Sequence, residues 1–255
     1  MNFKKFKLTS DSPRIKKIAG YATFIDYGKI NSDFVKDAFD FAYDMTFGQM
    51  GEHRDHRTGG THQRSNGEIF ANTFQGKLCE FAIYQELRDK HEINKPDLSV
   101  YGLGKWDNRD FQIDDKTVSV KSTKSFGQLL LLETKDWTAK GEYIPNGRET
   151  YDCIFMVRIK NDPESIMKNN KIFFLNNIEK DQLWNSFENI DWIYDVPRYI
   201  TYEELVYIIN NDYIIFKNDL LNGKTLMDAD NYYCHLCDMH PLKRREKIGK
   251  KSKLL

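Results

Sequence analysis

Two short segments of alternating polarity, residues 110–114 (DFQID) and 117–121 (TVSVK), constrain this chain more than any other feature. Successive side chains on a β-strand point to opposite faces. Phe111 and Ile113 therefore share one face, and Asp110, Gln112 and Asp114 the other. Val118 and Val120 likewise oppose Thr117, Ser119 and Lys121. A turn around Asp115 and Lys116 would fold the two segments into a hairpin, with Asp110 and Lys121 on one polar surface above a shared apolar one.

The surrounding pattern places this hairpin inside a mixed domain. Residues 31–48 have helical spacing: Ser32 is the expected N-cap, Phe34, Ala38, Phe41 and Met45 share a face, and Gly48 ends the helix. Residues 68–90 resume that spacing, with Phe70, Phe74, Leu78, Phe81, Ala82 and Tyr84 forming a broad apolar stripe. After Pro96 the segments LSVYG, DFQI, TVSVK, QLLLLE, YDCIFMVRI, KIFFL and YIIF read as strands. NIEKDQLWNSF and TYEELVYIINN read as short helices between the later strands. Helices followed by clustered strands and then mixed elements predict a single α/β domain spanning 1–255, with an antiparallel hairpin in its sheet.

Hydrophobic residues make up 40% of the chain and aromatics 14%, enough for a sizeable core and against global disorder. The longest apolar run is Leu129–Leu132, far short of a membrane span. The N-terminal stretch is charged without an apolar segment after it, which gives an expectation of a cytoplasmic protein without a membrane partner. Lys and Arg total 38 and Asp and Glu 38, but the charge is polarised along the chain. The tail 241–255 holds seven Lys or Arg against one Glu. Such a tail is a solvated end or a phosphate contact.

Three segments then line up: GKLCEFA at 76–82, DFQI at 110–113 and VSVKST at 118–123. Together they resemble the PD-(D/E)xK nuclease superfamily, which includes most type II restriction endonucleases and many repair nucleases. The resemblance covers 68–133 and implies a restriction-endonuclease-like core at about 68–175, a mixed central β-sheet flanked by helices. It implies Asp110 as principal Mg²⁺ ligand, the Val120 carbonyl as another, and Glu80 as a second carboxylate. Lys121 would orient or deprotonate the attacking water and stabilise negative charge. Ser119 stands where the family usually has an acid, two residues before the lysine. Some members with Ser or Cys there recruit a glutamate from further along, which makes Glu133 or Glu80 the expected replacement.

The implied function is sequence-specific hydrolysis of double-stranded DNA to 5′-phosphate ends by a homodimer, with no small-molecule substrate. A repair or recombination nuclease of the same superfamily and a non-catalytic DNA-binding module are the alternatives, the latter raised by Ser119. The glycine-rich loop 51–67 carries Arg54, Arg57 and Arg64, which could pair with guanine in a groove. Lys124, just past the hairpin, is a further candidate phosphate contact. The Cys-x-x-Cys of Cys234 and Cys237, with His240 beyond, matches only half of a zinc site and lacks its other half, so NYYCHL reads as a tyrosine-rich packing segment before the basic tail. GLGKW at 102–106 lacks the Lys-Ser/Thr ending of a phosphate loop and reads as a turn.

Overall fold

The computed structural model describes residues 7–48, 64–99 and 110–243. Arg54, Arg57, the GLGKW segment and the tail beyond Lys243 lie outside the described residues. The chain opens with the strands β1 (Thr9–Ser12), β2 (Ile15–Lys17) and β3 (Gly28–Lys29) and the helices α1 (Ser32–Thr46) and α2 (Asn66–Leu87). The hairpin follows as β4 (Phe111–Ile113) and β5 (Lys116–Lys124), then β6 (Leu129–Glu133), β7 (Cys153–Lys160), α3 (Pro163–Asn169) and α4 (Lys180–Trp184). After these come β8 (Ile193–Tyr194), β9 (Arg198–Thr201), α5 (Tyr202–Asn210), β10 (Ile214–Ile215), β11 (Leu220–Leu221) and β12 (Thr225–Leu226). β13 (Asn231–His235) and β14 (His240–Pro241) close the set. The architecture is mixed α/β. No described helix is long and apolar enough to cross a membrane.

The central sheet runs β14-β9-β7-β5-β4, with β8 joining β7 and β3 joining β8. β5 and β7 are parallel over seven paired positions, Val118↔Cys153 to Lys124↔Ile159, while β4 and β9 pair antiparallel to them. One face of the sheet carries Val118, Phe155 and Val157 into a core with α1 and α2. Phe39, Phe70, Phe74, Phe187 and Trp192 interlock there by edge-on and tilted ring contacts. The other face carries Ile154, Met156 and Ile200 into a second core. That core is closed by α5 and by a smaller sheet, β10-β13-β6.

Local chemistry explains where the elements begin. Asn31, not Ser32, caps α1, its side chain accepting from the Asp33 amide at 2.8 Å. Ser65 caps α2, and Thr201 with Glu204 forms a reciprocal capping box on α5. The hairpin turns at Asp114 and Asp115, one residue earlier than expected, with Asp114 at φ 54°. α2 is enclosed on more than one stripe, from Ile69 and Phe70 to Cys79, Ile83 and Leu87.

KIFFL is not a strand. Lys171 takes a positive φ after α3, and Ile172 and Phe173 turn under the start of α2 while Phe174 faces solvent. A Cβ at Gly67 would stand 2.0 Å from the Phe173 carbonyl oxygen, so the helix reaches this turn only because residue 67 lacks one. A short apolar run bounded by polar residues fits a buried turn as well as a strand.

Arg158 on β7 is fully buried. Its Nε donates to Asp195 at 2.7 Å, Nη1 to the Ala22 carbonyl at 2.8 Å and Nη2 to the Thr23 carbonyl at 2.9 Å. Asp195 accepts in turn from the Ile25 amide at 2.8 Å. The pair thus ties the segment before β3 to the sheet. Removing one member leaves the other buried without its counter-charge, at a cost of about 3–5 kcal/mol. Asp195→Ala should lower unfolding stability by that amount in urea titrations, and a loss below about 1 kcal/mol would contradict the buried tie.

Candidate active site at the open edge of β5

β4 pairs with β5 only as far as Phe111↔Val118, and beyond that point β5 runs on with its outer edge free of β4. Asp110 stands where the two strands part. Its Oδ2 accepts from the Ser119 hydroxyl at 2.9 Å and from the Val120 amide at 2.6 Å. The carboxylate thus takes the place of the next backbone acceptor and fixes its own orientation. Among the described residues both contacts fall on this one oxygen.

Register sets the faces. Ser119 pairs with Ile154 and Lys121 with Met156, so both lie on the sheet face that looks towards the second core. Ser119 is 1% exposed. The polar face expected at the surface is therefore an enclosed one, because β5 is covered on both sides. Lys121 forms no ion pair among the described residues; its Nζ sits 5.8 Å from the centroid of the Tyr143 ring. Tyr143 packs in turn on Trp137 and Tyr151.

An open pocket of about 310 Å³ lies at this edge. Lys121, Ser122, Thr123 and Met156 line it, with Gly76 of α2 opposite and the leucines of β6 at its side. Gln75 of α2 donates to the Ser122 hydroxyl at 3.1 Å, holding helix and strand edge together. A Cβ at Gly76 would meet nothing within 4 Å, so this glycine borders space rather than a tight contact.

The remaining candidates are placed unevenly. Glu80 is four residues beyond Gly76 and so on the same side of α2, but Lys77 holds its carboxylate at 2.6 Å. Glu133 ends β6, beside Lys135 at 3.4 Å, with its pKa raised by burial. Like Asp110 and Glu80 it does not line the pocket, whose β6 residues stop at Leu131. Lys124 lies between Asp162 at 2.8 Å and Glu164 at 3.0 Å. Burial works against its charge, yet those two carboxylates raise its pKa. Arg64 is half-buried just before the α2 cap. Among the described residues no group of three or more His, Cys, Asp or Glu gathers as a metal cluster.

Among the described residues Cys234 and Cys237 do not gather with a third His, Cys, Asp or Glu as a metal cluster. Cys234 is buried, which pushes its thiol pKa well up, and its Sγ contacts the His235 carbonyl oxygen at 3.7 Å. The Cys237 amide donates to His235 Nδ1 at 3.0 Å, which leaves Nε2 carrying the proton towards the Gly20 carbonyl at 3.1 Å. Both ring nitrogens are thereby occupied in holding a turn. His240 instead meets Glu204 at 2.7 Å.

No family model, no curated protein and no solved structure matches this chain.

Two outcomes test this geometry. Gly76→Ala should stabilise the fold by about 0.4–1 kcal/mol, since alanine suits a helix better and the space is open; destabilisation in a denaturant titration would contradict the open contact. Burial lowers the His235 pKa below 6.5. The unfolded chain then binds the extra proton first, so this contribution to stability is complete above about pH 6.5 and is lost as the pH falls. His235→Gln should flatten the fall of stability between pH 6.5 and 5, and an unchanged slope would remove His235 as its source.

Proposed function

We propose that this chain is a Mg²⁺-dependent endonuclease of double-stranded DNA, built on a restriction-endonuclease-like core. One observation carries the reading. A fixed carboxylate, Asp110, and an ammonium with no acid partner among the described residues, Lys121, share one sheet face where β5 leaves β4 beside an open pocket.

The donor set fits one Mg²⁺, which is commonly held by one or two carboxylates together with substrate phosphate and waters. Asp110 would supply the carboxylate through Oδ1, and the Val120 carbonyl is the nearest backbone candidate. Mg²⁺ bound there would supply charge compensation on the scissile phosphate and an activated water. Ser119 acts as a donor that fixes Asp110, not as a ligand. Lys121 places a positive charge where the pentavalent phosphorus gathers negative charge, worth several kcal/mol in an enclosed site. Tyr143 limits the directions its ammonium can take. Glu80 joins only if it leaves Lys77, and Glu133 is not part of the pocket. A cut of both strands at a palindromic site suits a homodimer, one site per strand.

A second reading, a DNA-binding module without catalysis, is favoured by one observation. Ser119 is buried and Glu80 is engaged by Lys77, so neither offers a second carboxylate in this arrangement. Incubation with phage DNA and Mg²⁺ separates the two. The wild type should produce discrete fragments with 5′-phosphate ends, while Asp110→Asn and Lys121→Ala should each lose at least about 10²-fold in rate. Lys121→Ala should still bind duplex DNA in Ca²⁺. If the wild type binds DNA but cuts with no divalent metal, the module reading stands and the nuclease reading falls.

A further inference from the structure

β9 adds a residue to this face that the hairpin pattern does not contain. Met156 pairs with Lys121 on one side and with Arg198 on the other. Residues in direct cross-strand register point the same way. Lys121, Met156 and Arg198 therefore form one row across three strands, with the two cations about 10 Å apart at Cα, two strand spacings. Met156 between them lines the pocket beside Lys121.

Arg198 is half-buried and makes no ion pair among the described residues. Its Nε is sealed from solvent without a hydrogen-bond partner. An enclosed donor left unsatisfied costs about 1–3 kcal/mol. Lys77 and Arg158, both largely buried, each face a carboxylate instead. Lys121 and Arg198 stand in a single row without a carboxylate partner among the described residues; Lys121 lines the pocket, and Arg198 lies across Met156 from it without lining it. A purely structural arginine would cover apolar surface with its stem and turn its head to an acid or to water.

We propose that Arg198 is a second phosphate-binding cation beside this pocket, acting with Lys121 on a ligand that carries neighbouring phosphate groups. The inference rests on the nuclease reading for the identity of that ligand, the backbone of a nucleic acid strand. A guanidinium presents a planar fork of donors that matches phosphate oxygens, whereas an ammonium acts as a point charge. The pair thus divides the work. Arg198 sets the strand's orientation, and Lys121 stands nearer Asp110, where the bond would break.

Pyrophosphate at matched ionic strength is the probe, followed by thermal shift and calorimetry, with duplex DNA measured in parallel by anisotropy in Ca²⁺. Wild type should bind pyrophosphate. Arg198→Met and Lys121→Met should each weaken that binding at least about 10-fold, and Arg198→Lys should recover part of it. Against DNA, Arg198→Met should lower the salt slope of log affinity by about one. If Arg198→Met fails to fold, Arg198→Lys is compared with Arg198→Gln, and equal binding by the two overturns the proposal. Binding of both ligands by Arg198→Met as tightly as by wild type overturns it while leaving cleavage intact, and so does a wild type that ignores pyrophosphate. A wild type that cuts no DNA, yet binds pyrophosphate through both cations, supports the row and removes the nuclease reading instead.

Discussion

The parallel pairing of β5 with β7 is the constraint on which the rest of this molecule depends. A parallel pair needs a crossover connection and cover on both faces of the sheet. Residues 125–152 make the crossover, and they carry β6 and the Trp137–Tyr143–Tyr151 cluster to one side of the sheet. α1 and α2 cover the other side. Ser119 of β5 thus lies inside the molecule and its other polar residues are half-buried, at an edge that among the described residues is left open because β4 is three residues long and β5 nine. A pocket forms there as a consequence of unequal strand length.

What could be read from the sequence follows from the range of each interaction. The faces of residues 117–121 were legible because alternation is a property of the strand itself. α1 and α2 were legible from helical spacing, although the cap of α1 moved from Ser32 to Asn31. KIFFL failed because only Ile172 and Phe173 are buried, in a turn whose Phe173 carbonyl comes close to Gly67, far away in sequence. NYYCH packs into the second core as expected, but as β13, paired along its length with β6. Arg198 gave no signal at all. Its strand, RYIT, is four residues long, and its meaning comes from register with residues 42 and 77 positions away. Pairing of that kind leaves no trace in a local pattern.

The cysteine and histidine cluster near the end of the described chain shows the same limit from another side. Cys-x-x-Cys spacing is compatible with metal, redox and packing roles. Burial bears on that choice: it raises the Cys234 thiol pKa, and both nitrogens of His235 are held by backbone groups. A thiolate ligand needs a deprotonated sulfur, and a buried sulfur beside Asp238 is the opposite environment.

The serine at 119 can be understood in the same terms. A carboxylate in its place would be sealed from water and directly against Asp110, two like charges without a buried cation between them. That arrangement is tolerable only with a bound metal or an extra proton. Serine removes the conflict and adds a donor, so Asp110 is held in place whether or not an ion is present. The trade has an electrostatic consequence. One fixed carboxylate, Asp110, then stands near the Lys121 end of the row Lys121–Met156–Arg198. On the proposed reading such a site would attract a polyanion through its own charge, and a bound phosphate would stand where a second acid otherwise does.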